Sequence, residues 1–477
     1  MKKFLSDLKN GIISVFRKPP KEENLYELDG IVPLKKSILF GIQHVLAMFI
    51  ANITPLLIVF EVIGILESNL ATNAILGSLF MAGFGTIIQL FLGVRLPIVI
   101  GTSFTFVGIF CTIGISAGGG EVAYYTILGS IFVGSLIATI CSFFVKWWGK
   151  LIKPIVPCIV VFAIGLSLLE SGATQFLGGS SVLNNFANNG ENTVPYYLYI
   201  MVALITLFSA ILWQIFTKGV WKNLNIIFGI IVGYLVALCI PGMINFSYIK
   251  INSFTDIITF PRLINVSKLI FKPIPILLTT VCFLMAVVEG IGDVTALCND
   301  VLNREPTNRE ITGVLVTDGF NSFVCSLFGT LPLTTFAQNV GIVSQTKVIN
   351  RFTIFTGALF LILSSFFPVL ANVLRTVPDC VLGGAMIILF GSILVVGIKM
   401  CAQTGFTDKN ILIISISVCL GYGLTLVDNF FAYLKSVNLN YLSDLLSNNV
   451  LNMFVIAFVL SWILPDDMNL KIKKESV

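Results

Sequence analysis

The sequence predicts an all-α polytopic membrane protein with fourteen transmembrane segments, arranged as two inverted halves. Three observations support this prediction. Hydrophobic residues make up 56% of the 477 residues and charged residues 11%, whereas a soluble domain carries about 25% charged residues to cover its surface. Apolar stretches long enough to cross a bilayer recur along the whole chain. An unusual element containing Gly and Pro occurs twice, about half a chain apart.

The composition excludes several classes of protein. The chain has 40 Phe but 29 Lys and Arg together, so it lacks the polar surface of a soluble enzyme, a nucleic-acid-binding protein or a disordered chain. The sequence contains no nucleotide, metal or other cofactor motif, and its ten cysteines occur singly without CxxC spacing. We interpret the cysteines as small buried apolar residues. Neither an enzymatic activity nor a cofactor, metal or nucleic-acid partner is expected.

Twelve stretches have the length and apolar character of a membrane-spanning helix. They lie near residues 36–60, 70–92, 122–145, 152–170, 195–216, 223–241, 273–291, 310–329, 352–374, 378–398, 410–427 and 448–464. Two further stretches, near 97–115 and 332–346, contain Leu-Pro at their start and are then rich in Gly, Ser, Thr or Asn. Such interrupted backbone is unsuited to lipid contact and is expected to face a cavity instead.

The basic residues favour fourteen crossings with both termini in the cytoplasm. In that arrangement 23 Lys and Arg lie on the cytoplasmic side and six on the other, as the positive-inside rule requires. If the two interrupted stretches did not cross, several loops would change sides and the bias would weaken. No cleavable signal peptide is visible, so the first span is expected to serve as the targeting signal. Residues 171–194 and 242–270 are expected to be extracellular loops.

The repeated element predicts the inversion. Residues 82–97 read AGFGTIIQLFLGVRLP and residues 318–332 read DGFNSFVCSLFGTLP. Both copies contain Gly-Phe, a second Gly ten residues after the first, and then Leu-Pro. Seven crossings separate the copies, and because this number is odd the two halves must be inverted. Paired interrupted segments in inverted halves are typical of secondary transporters, whose substrate site lies between these segments near the membrane midplane.

Polar residues at membrane depth are costly and mark candidate sites. Gln43 and His44 lie in the first span, Glu289 and Asp293 share one face of the eighth, and Asp318 lies in the ninth. The Glu289 carboxyl could carry a proton. Gln43 and His44 could instead bond across neighbouring helices. Asp293 and Asp318 could be interfacial residues or partners of backbone groups.

The interrupted segments add amides and aromatic rings. Gln338 and Asn339 occupy the break in the tenth segment. A side-chain amide offers both a donor and an acceptor, which suits the edge of a purine or pyrimidine, although Asn339 could also cap the following helix. Phe104 follows the first break and Phe336 precedes the second. Either ring could stack on a planar base.

These residues resemble the nucleobase–ascorbate transporter family, also called nucleobase:cation symporters, and within it the xanthine and uric acid permeases. The family signature Q/E/P-N-x-G-x4-T, followed by R, K or G, is matched in full by residues 338–347, QNVGIVSQTK. The remaining family positions are matched by Gln43, His44, Phe104, Glu289, Asp293 and Asp318. The resemblance covers essentially the whole chain.

The resemblance implies a division into two domains. A core domain would comprise residues 35–150 (segments 1–4) and 273–376 (segments 8–11), and a gate domain residues 151–272 (segments 5–7) and 377–466 (segments 12–14). Cytoplasmic tails would be residues 1–34 and 467–477. Segments 3 and 10 would each contain a short antiparallel strand with the substrate between them. Members are typically homodimers in the plasma membrane, embedded in lipid, and work by elevator-type alternating access; bacterial members resemble proton symporters.

The resemblance also implies roles for individual residues. Substrate-binding residues would be Glu289, Gln338, Phe104, Asn339, Ala337 and Ser103. Residues that support coupling or the core would be His44, Gln43, Asp293 and Asp318. No metal ligand is implied.

The substrate implied by Gln338 is an oxidised purine. Within the family, Gln at this position accompanies xanthine and uric acid, Glu accompanies uracil, and Pro occurs in the animal ascorbate branch. The sequence leaves open the choice between xanthine, uric acid and other purines, the choice between proton and sodium coupling, and which carboxyl carries the proton. The alternatives are a uracil permease, sodium-coupled uptake, a related anion exchanger or sulfate carrier, and a channel.

Overall fold

The computed structural model describes residues 2–17, 25–148, 151–187, 194–218, 222, 224–248, 256–437 and 439–465. Within these ranges the side chains at 2–8, 47, 337, 338, 345, 428, 435, 440, 441 and 444 are outside the description as well. The described chain is mostly helical. Eight of its helices are long and apolar enough to cross a membrane, or nine spans if one bent pair of helices is counted as one.

The helices follow one another through both halves of the chain. The first half contains α1 (Lys2–Val15), α2 (Leu34–Val62), α3 (Asn69–Phe91), α4 (Val107–Ser116), α5 (Gly120–Phe143), α6 (Val145–Trp148), α7 (Ile155–Phe176), α8 (Ser180–Ala187), α9 (Tyr196–Phe216) and α10 (Asn225–Leu238). The second half contains α11 (Pro273–Leu297), α12 (Asn308–Leu327), α13 (Ala337–Thr346), α14 (Arg351–Ser364), α15 (Pro368–Arg375), α16 (Asp379–Thr404), α17 (Asp408–Ile416), α18 (Asp428–Ser436), α19 (Asn440–Leu446) and α20 (Asn449–Ile463). Two strands are present among the described residues, β1 (Ile100–Thr102) and β2 (Leu333–Thr335).

Two of the expected elements differ from the structure. Residues 352–374 form two helices, α14 and α15, bent by 83°, because Pro368 disfavours helical geometry at the preceding Phe367 (φ −108°, ψ 91°). Residues 410–427 form one apolar span as expected, Asp408–Leu426, in which α17 continues through a π-helical turn, Ser417–Tyr422, and a 3₁₀ turn, Gly423–Leu426. Of the expected loop 171–194, the residues up to Phe176 belong to α7 and Ser180–Ala187 form α8, while residues 188–193 lie outside the described residues.

The cysteines lie mostly inside the helix packing. All ten are free thiols, six of them buried, while Cys239 and Cys419 are exposed. The interpretation as small buried residues therefore applies to most of the cysteines; of the exposed ones, Cys239 directly follows α10 and Cys419 lies in a π-helical turn.

The helices pack in two groups. One group contains α2, α3, α5, α11, α12 and α14, and the other contains α7, α9, α10, α16 and α20. The packing of the two halves corresponds: α2 and α3 pack against α14, while α11 and α12 pack against α5. The two strands lie within the first group, where β1 contacts α2 and α3 and β2 contacts α11 and α12.

Small residues allow α7 and α16 to cross closely. A Cβ atom at Gly397 would lie 2.5 Å from the Cα atom of Phe162, and one at Gly165 would lie 2.5 Å from the Cα atom of Leu394. Both obstacles are backbone atoms, which cannot rotate away. The crossing therefore depends on glycine at both positions, as is common where membrane helices approach one another.

Gly397→Ala is therefore expected to lower the thermal unfolding temperature of the purified protein, at an overpacking cost of about 1–3 kcal/mol. Gly391→Ala is the matched control, because it lies on the same helix and a Cβ atom there meets no atom within 4 Å. The control should be neutral or stabilising by up to about 1 kcal/mol, since alanine is the better helix former. Equal losses in the two variants would contradict the close-crossing explanation.

Candidate functional site

The two strands form a short antiparallel ladder in the interior. The ladder is extended at each end by one hydrogen bond, from Ser103 N to Pro332 O at 2.9 Å and from Phe336 N to Val99 O at 3.1 Å. The register pairs Ile100 with Thr335, Gly101 with Thr334 and Thr102 with Leu333. Since the strands are antiparallel, the helices that follow them start at opposite ends of the ladder. The unpaired N–H groups and partial positive charge of both helix starts therefore lie beside it.

Glycine is required at the centre of β1. The ring of Phe336 lies against Gly101, so that a Cβ atom at position 101 would collide with the ring. Phe336 is only 4% exposed. Its ring therefore packs against the strand, and we assign it no role in stacking on a base.

Side chains of the surrounding helices fix the ladder. Asn52 of α2 accepts hydrogen bonds from Thr102 N at 2.8 Å and from Thr102 Oγ1 at 3.2 Å. The Oγ atom of Ser322 on α12 accepts from Leu333 N and donates to Leu333 O, both at 3.1 Å. These bonds satisfy buried backbone groups that would otherwise be costly. The strands are thereby held at one position between α2 and α12.

Two carboxyl groups of α11 bond to the two interrupted segments. Thr105 Oγ1 donates to Glu289 Oε2 at 2.8 Å, and Thr335 Oγ1 donates to Asp293 Oδ2 at 2.7 Å. Asp293 is 2% exposed, whereas Glu289 is half-buried. Of the two, Glu289 is therefore the carboxyl that a ligand can reach.

A third carboxyl lies close by on α12. Asp318 Oδ1 accepts a hydrogen bond from Gln89 Nε2 at 2.7 Å, and Asp318 is buried. Its charge and those of Glu289 and Asp293 are close enough to interact. In the part of the chain that the structure describes, no Lys or Arg forms an ion pair with any of the three. Full ionisation of all three would be unfavourable because like charges repel, so the cluster can hold a proton.

The first span contributes polar groups from the opposite side. His44 Nδ1 and Asn339 Oδ1 are 2.8 Å apart, and both residues are at most 2% exposed. Several other buried polar atoms have no hydrogen-bond partner among the described residues: both amide atoms of Gln43, His44 Nε2, Asn339 Nδ2 and Ser103 Oγ. Such orphaned groups are uncommon in native interiors and are expected to gain partners from a bound ligand or water.

The aromatic candidate Phe104 lies where the two helix groups meet. Its ring packs edge-on against Phe390 of α16, with ring centroids 5.4 Å apart and an interplanar angle of 80°. Phe104 follows Ser103 directly and precedes Thr105, the partner of Glu289. The side chains of Ala337 and Gln338 lie outside the described residues, although their backbone forms the first turn of α13. The structure thus groups Glu289, Ser103, Phe104, His44 and Asn339 around the ladder.

Sequence reasoning missed the partners of the carboxyl groups. Asn52 and Gln89 are polar residues inside long apolar helices, so the rule that singled out His44 and Glu289 also applied to them. Thr105 and Thr335 carried no comparable signal, because threonine is common in apolar segments and often bonds to its own helix. Their roles follow from the register of the ladder.

Comparison with known proteins identifies the family. A family model described as a permease family, Xan_ur_permease, matches residues 35–430. The chain belongs to the nucleobase–ascorbate transporter family. The resemblance drawn from the signature in α13 is thereby confirmed, and the protein is a multi-pass membrane protein of a family of transporters rather than enzymes.

Relatives of this family member cover most of its length. A Clostridium perfringens protein named as a purine permease is 32% identical over 84% of this chain and 85% of its own. The xanthine permease XanQ of Escherichia coli is 31% identical over 86% of this chain and 88% of its own. The uric acid transporter UacT of Escherichia coli is 28% identical over 91% of this chain and 87% of its own.

Solved structures with a similar fold include two anion transporters. The transmembrane domain of the cyanobacterial bicarbonate transporter BicA superposes with a TM-score of 0.54 at 16% identity, covering 89% of this chain and 97% of that domain. Murine Slc26a9 superposes with a TM-score of 0.60 at 12% identity, covering 97% of this chain and 72% of that chain. At these identities the similarity concerns the fold alone.

Proposed function

We propose that this permease imports an oxidised purine, xanthine or uric acid, together with a proton, across the plasma membrane. The observation that carries the proposal is the hydrogen bond between Glu289 and Thr105, just after β1, across the ladder from the signature that begins at Gln338. A flat base lying between these elements would meet a carboxylate on one edge and a side-chain amide on another. The names of its relatives, xanthine permease and uric acid transporter, support the same substrate class.

Hydrogen-bonding groups explain how the site would select its substrate. Glu289 accepts N–H groups of the base, and the Gln338 amide both donates and accepts. The ring of Phe104 offers a stacking surface. A base with a different pattern of donors and acceptors would leave buried polar groups without partners, which discriminates strongly. The orphaned atoms of Gln43 and Ser103 are available to complete this pattern.

The carboxyl cluster supports proton coupling. The carboxyl groups of Glu289, Asp293 and Asp318 interact with one another and have no Lys or Arg ion-pair partner among the described residues. A proton bound there relieves the repulsion between them, and its release on the other side would return the site to its original charge. Sodium coupling is the alternative, and the uptake experiment below distinguishes it.

We propose that fourteen segments cross the membrane, with both termini in the cytoplasm. Besides the eight long helices and the bent pair α14–α15, α12 and the shorter helices α4, α10, α13 and α20 would complete the count. The corresponding packing of α2 and α3 on α14 and of α11 and α12 on α5 supports two inverted halves. The antiparallel pairing of β1 with β2 is consistent with the same symmetry.

The two packing groups support a division into core and gate domains. The core would contain α2–α5 and α11–α15, and the gate would contain α7–α10 and α16–α20. Phe104 of the core packs against Phe390 of the gate, so the substrate would bind where the domains meet. Elevator-type movement of the core against the gate would then expose the site to each side in turn. Family membership supports a homodimer surrounded by lipid.

The test is uptake of radiolabelled xanthine into proteoliposomes with an inward proton gradient. We expect labelled xanthine to accumulate and the accumulation to collapse with a protonophore. Unlabelled urate should compete with xanthine more strongly than unlabelled uracil does. Guanine as a further competitor ranks specificity among purines. Accumulation that requires a sodium gradient instead would contradict proton coupling, and exclusive competition by uracil would contradict the purine assignment.

A further inference from the structure

The register of the α7–α16 crossing brings two cysteines together. The two helices are antiparallel, and each step forward along α7 is matched by an equal step back along α16. Glycines lie against the partner helix at three levels: Gly383 against Phe176, Gly165 against Leu394, and Gly397 against Phe162. Cys158 lies four residues before Phe162, and Cys401 lies four residues after Gly397. The same register therefore places Cys158 opposite Cys401, one helical turn further on.

The thiols of this pair are in contact. They are close enough to share a hydrogen bond, and both residues are 4% exposed. A disulfide requires Cα atoms roughly 4.4–6.8 Å apart, so helices that cross at a larger distance cannot be bridged. Here the backbones approach closely, since one turn away a Cβ atom at Gly397 would lie 2.5 Å from the Cα atom of Phe162. A bond between the two sulfur atoms therefore needs little movement of either helix.

Polar atoms surround the Cys158 sulfur. Cys158 Sγ lies 3.1 Å from Thr404 Oγ1 and 3.1 Å from Pro154 O. The Thr404 hydroxyl donates to Met400 O at 2.9 Å. Rotation of this O–H would let it donate to a thiolate at Cys158, and the thiolate is the form of cysteine that acts as a nucleophile.

The cysteine pair lies at the ends of its two helices. Cys158 is in the first turn of α7, and Cys401 is in the last turn of α16. The side chain of Lys399, two residues before Cys401, is 62% exposed. A charged side chain near a helix end extends toward the membrane surface. A small neutral oxidant can therefore reach this end of the crossing from water.

We propose that Cys158 and Cys401 are a modification site, at which a peroxide forms a reversible disulfide that fastens the start of α7 to the end of α16. The Cys158 thiolate attacks one oxygen of hydrogen peroxide, so that an S–O bond forms and the O–O bond breaks. The hydroxide that leaves takes up the proton lost by the thiol and becomes water. The product at Cys158 is a sulfenic acid.

The second thiol completes the disulfide. The Cys401 sulfur attacks the sulfenic sulfur of Cys158, the S–S bond forms, and the S–O bond breaks. The oxygen leaves as a second water together with the proton of the Cys401 thiol. The two thiols have then lost two electrons, which reduce one peroxide to two waters, and a dithiol such as dithiothreitol reverses the bond by exchange.

Differential thiol labelling of the wild-type protein in lipid nanodiscs tests the site. After hydrogen peroxide, free thiols are blocked in denaturant with light N-ethylmaleimide, and oxidised thiols are reduced and labelled with the deuterated reagent. Mass spectrometry should find the heavy label on Cys158 and Cys401 in equal amounts and, without reduction, a peptide pair linked through them. Buried Cys282 and Cys325 should stay light. No linked pair at a peroxide dose that oxidises the exposed Cys239 would overturn the proposal.

Thermal unfolding tests whether the bond fastens the helices. The oxidised wild type should unfold at a temperature about 3 °C or more above that of the reduced protein, because a bond that closes a long loop restricts the unfolded chain. Dithiothreitol should remove the difference. Equal unfolding temperatures for the bonded and the reduced protein would overturn the fastening role.

Matched variants identify the thiols that respond to peroxide. Cys158→Ala removes one partner, so the linked peptides and the shift in unfolding temperature should both be lost. Cys282→Ala is the control, because Cys282 is also buried but lies on α11, and it should respond to peroxide as the wild type does. A wild-type shift in Cys158→Ala would overturn the proposal. If this variant fails to fold, Cys401→Ala provides the same comparison, and the labelling of the wild type still decides.

Discussion

Glu289→Gln is expected to abolish uphill accumulation of xanthine, leaving at most passive equilibration across the proteoliposome membrane. Glu289 is the half-buried carboxyl beside the proposed substrate site, and its Oε2 atom accepts a hydrogen bond from Thr105 at 2.8 Å. Glutamine keeps the shape but cannot bind and release a proton at neutral pH. The measurement is the ratio of internal to external labelled xanthine under an inward proton gradient, with and without a protonophore.

Counterflow experiments separate coupling from substrate binding at Glu289. If Glu289→Gln exchanges xanthine but does not accumulate it, the carboxyl carries the proton; if both are lost, it also binds the base. Glu170→Gln is the control, because Glu170 is an exposed carboxylate on α7, and this variant should accumulate xanthine as the wild type does. Accumulation with intact pH dependence in Glu289→Gln would place the proton carrier elsewhere.

Gln338→Glu is expected to lower xanthine uptake by about 100-fold. In the proposed site the Gln338 amide donates a hydrogen bond to an acceptor atom of the base. A carboxylate cannot donate, so that acceptor would lose its partner. Gln338 lies in the first turn of α13, at the end of the ladder. The measurement is initial uptake of labelled xanthine at several concentrations. Competition by unlabelled uracil is expected to be weak in the wild type and stronger in the variant.

The same helix offers a matched control for Gln338. Gln345 lies seven residues later in α13, and Gln345→Glu adds the same negative charge to the same helix. Uptake by this control should remain within about twofold of the wild type, because position 345 is one of the positions that the signature leaves unspecified. A similar loss in both variants would mean that charge on α13, rather than hydrogen bonding at position 338, reduces transport.

Much of the candidate site could be predicted from the sequence, because polar residues are rare in membrane-spanning stretches and are easily recognised there. Glu289, Asp293 and Asp318 were recognised as polar groups in apolar stretches, and the structure brings their charges together. The hydrogen bonds from Thr105 and Thr335 to two of these carboxyl groups could not be predicted. Thr335 lies in β2 and Thr105 in the turn after β1, so both bonds depend on how the two interrupted segments pack against α11, which no local pattern specifies.

Other differences arise from packing rather than from pattern. The ring of Phe336 was a candidate for stacking on a base, yet it lies against Gly101, because the ladder places the two residues on one face. The bend of 83° between α14 and α15 interrupts a stretch whose hydropathy alone resembles one span. In both cases the decisive constraint is steric and acts between neighbouring atoms.

The sequence by itself determined the class, the family and most of the polar candidates of this protein. The reason is physical. A chain without a polar surface must be covered by lipid, where polar groups without a bonding partner are costly, so the polar residues in its apolar stretches stand out as functional candidates. Only the tertiary structure decided which carboxyl is reachable and which groups share a site. Glu289 is half-buried and Asp293 is buried although one turn of α11 separates them, and His44 meets Asn339 from the other half of the chain. The burial of a side chain and its distance from other charges depend on how distant segments pack, and this packing cannot be derived from the order of the residues.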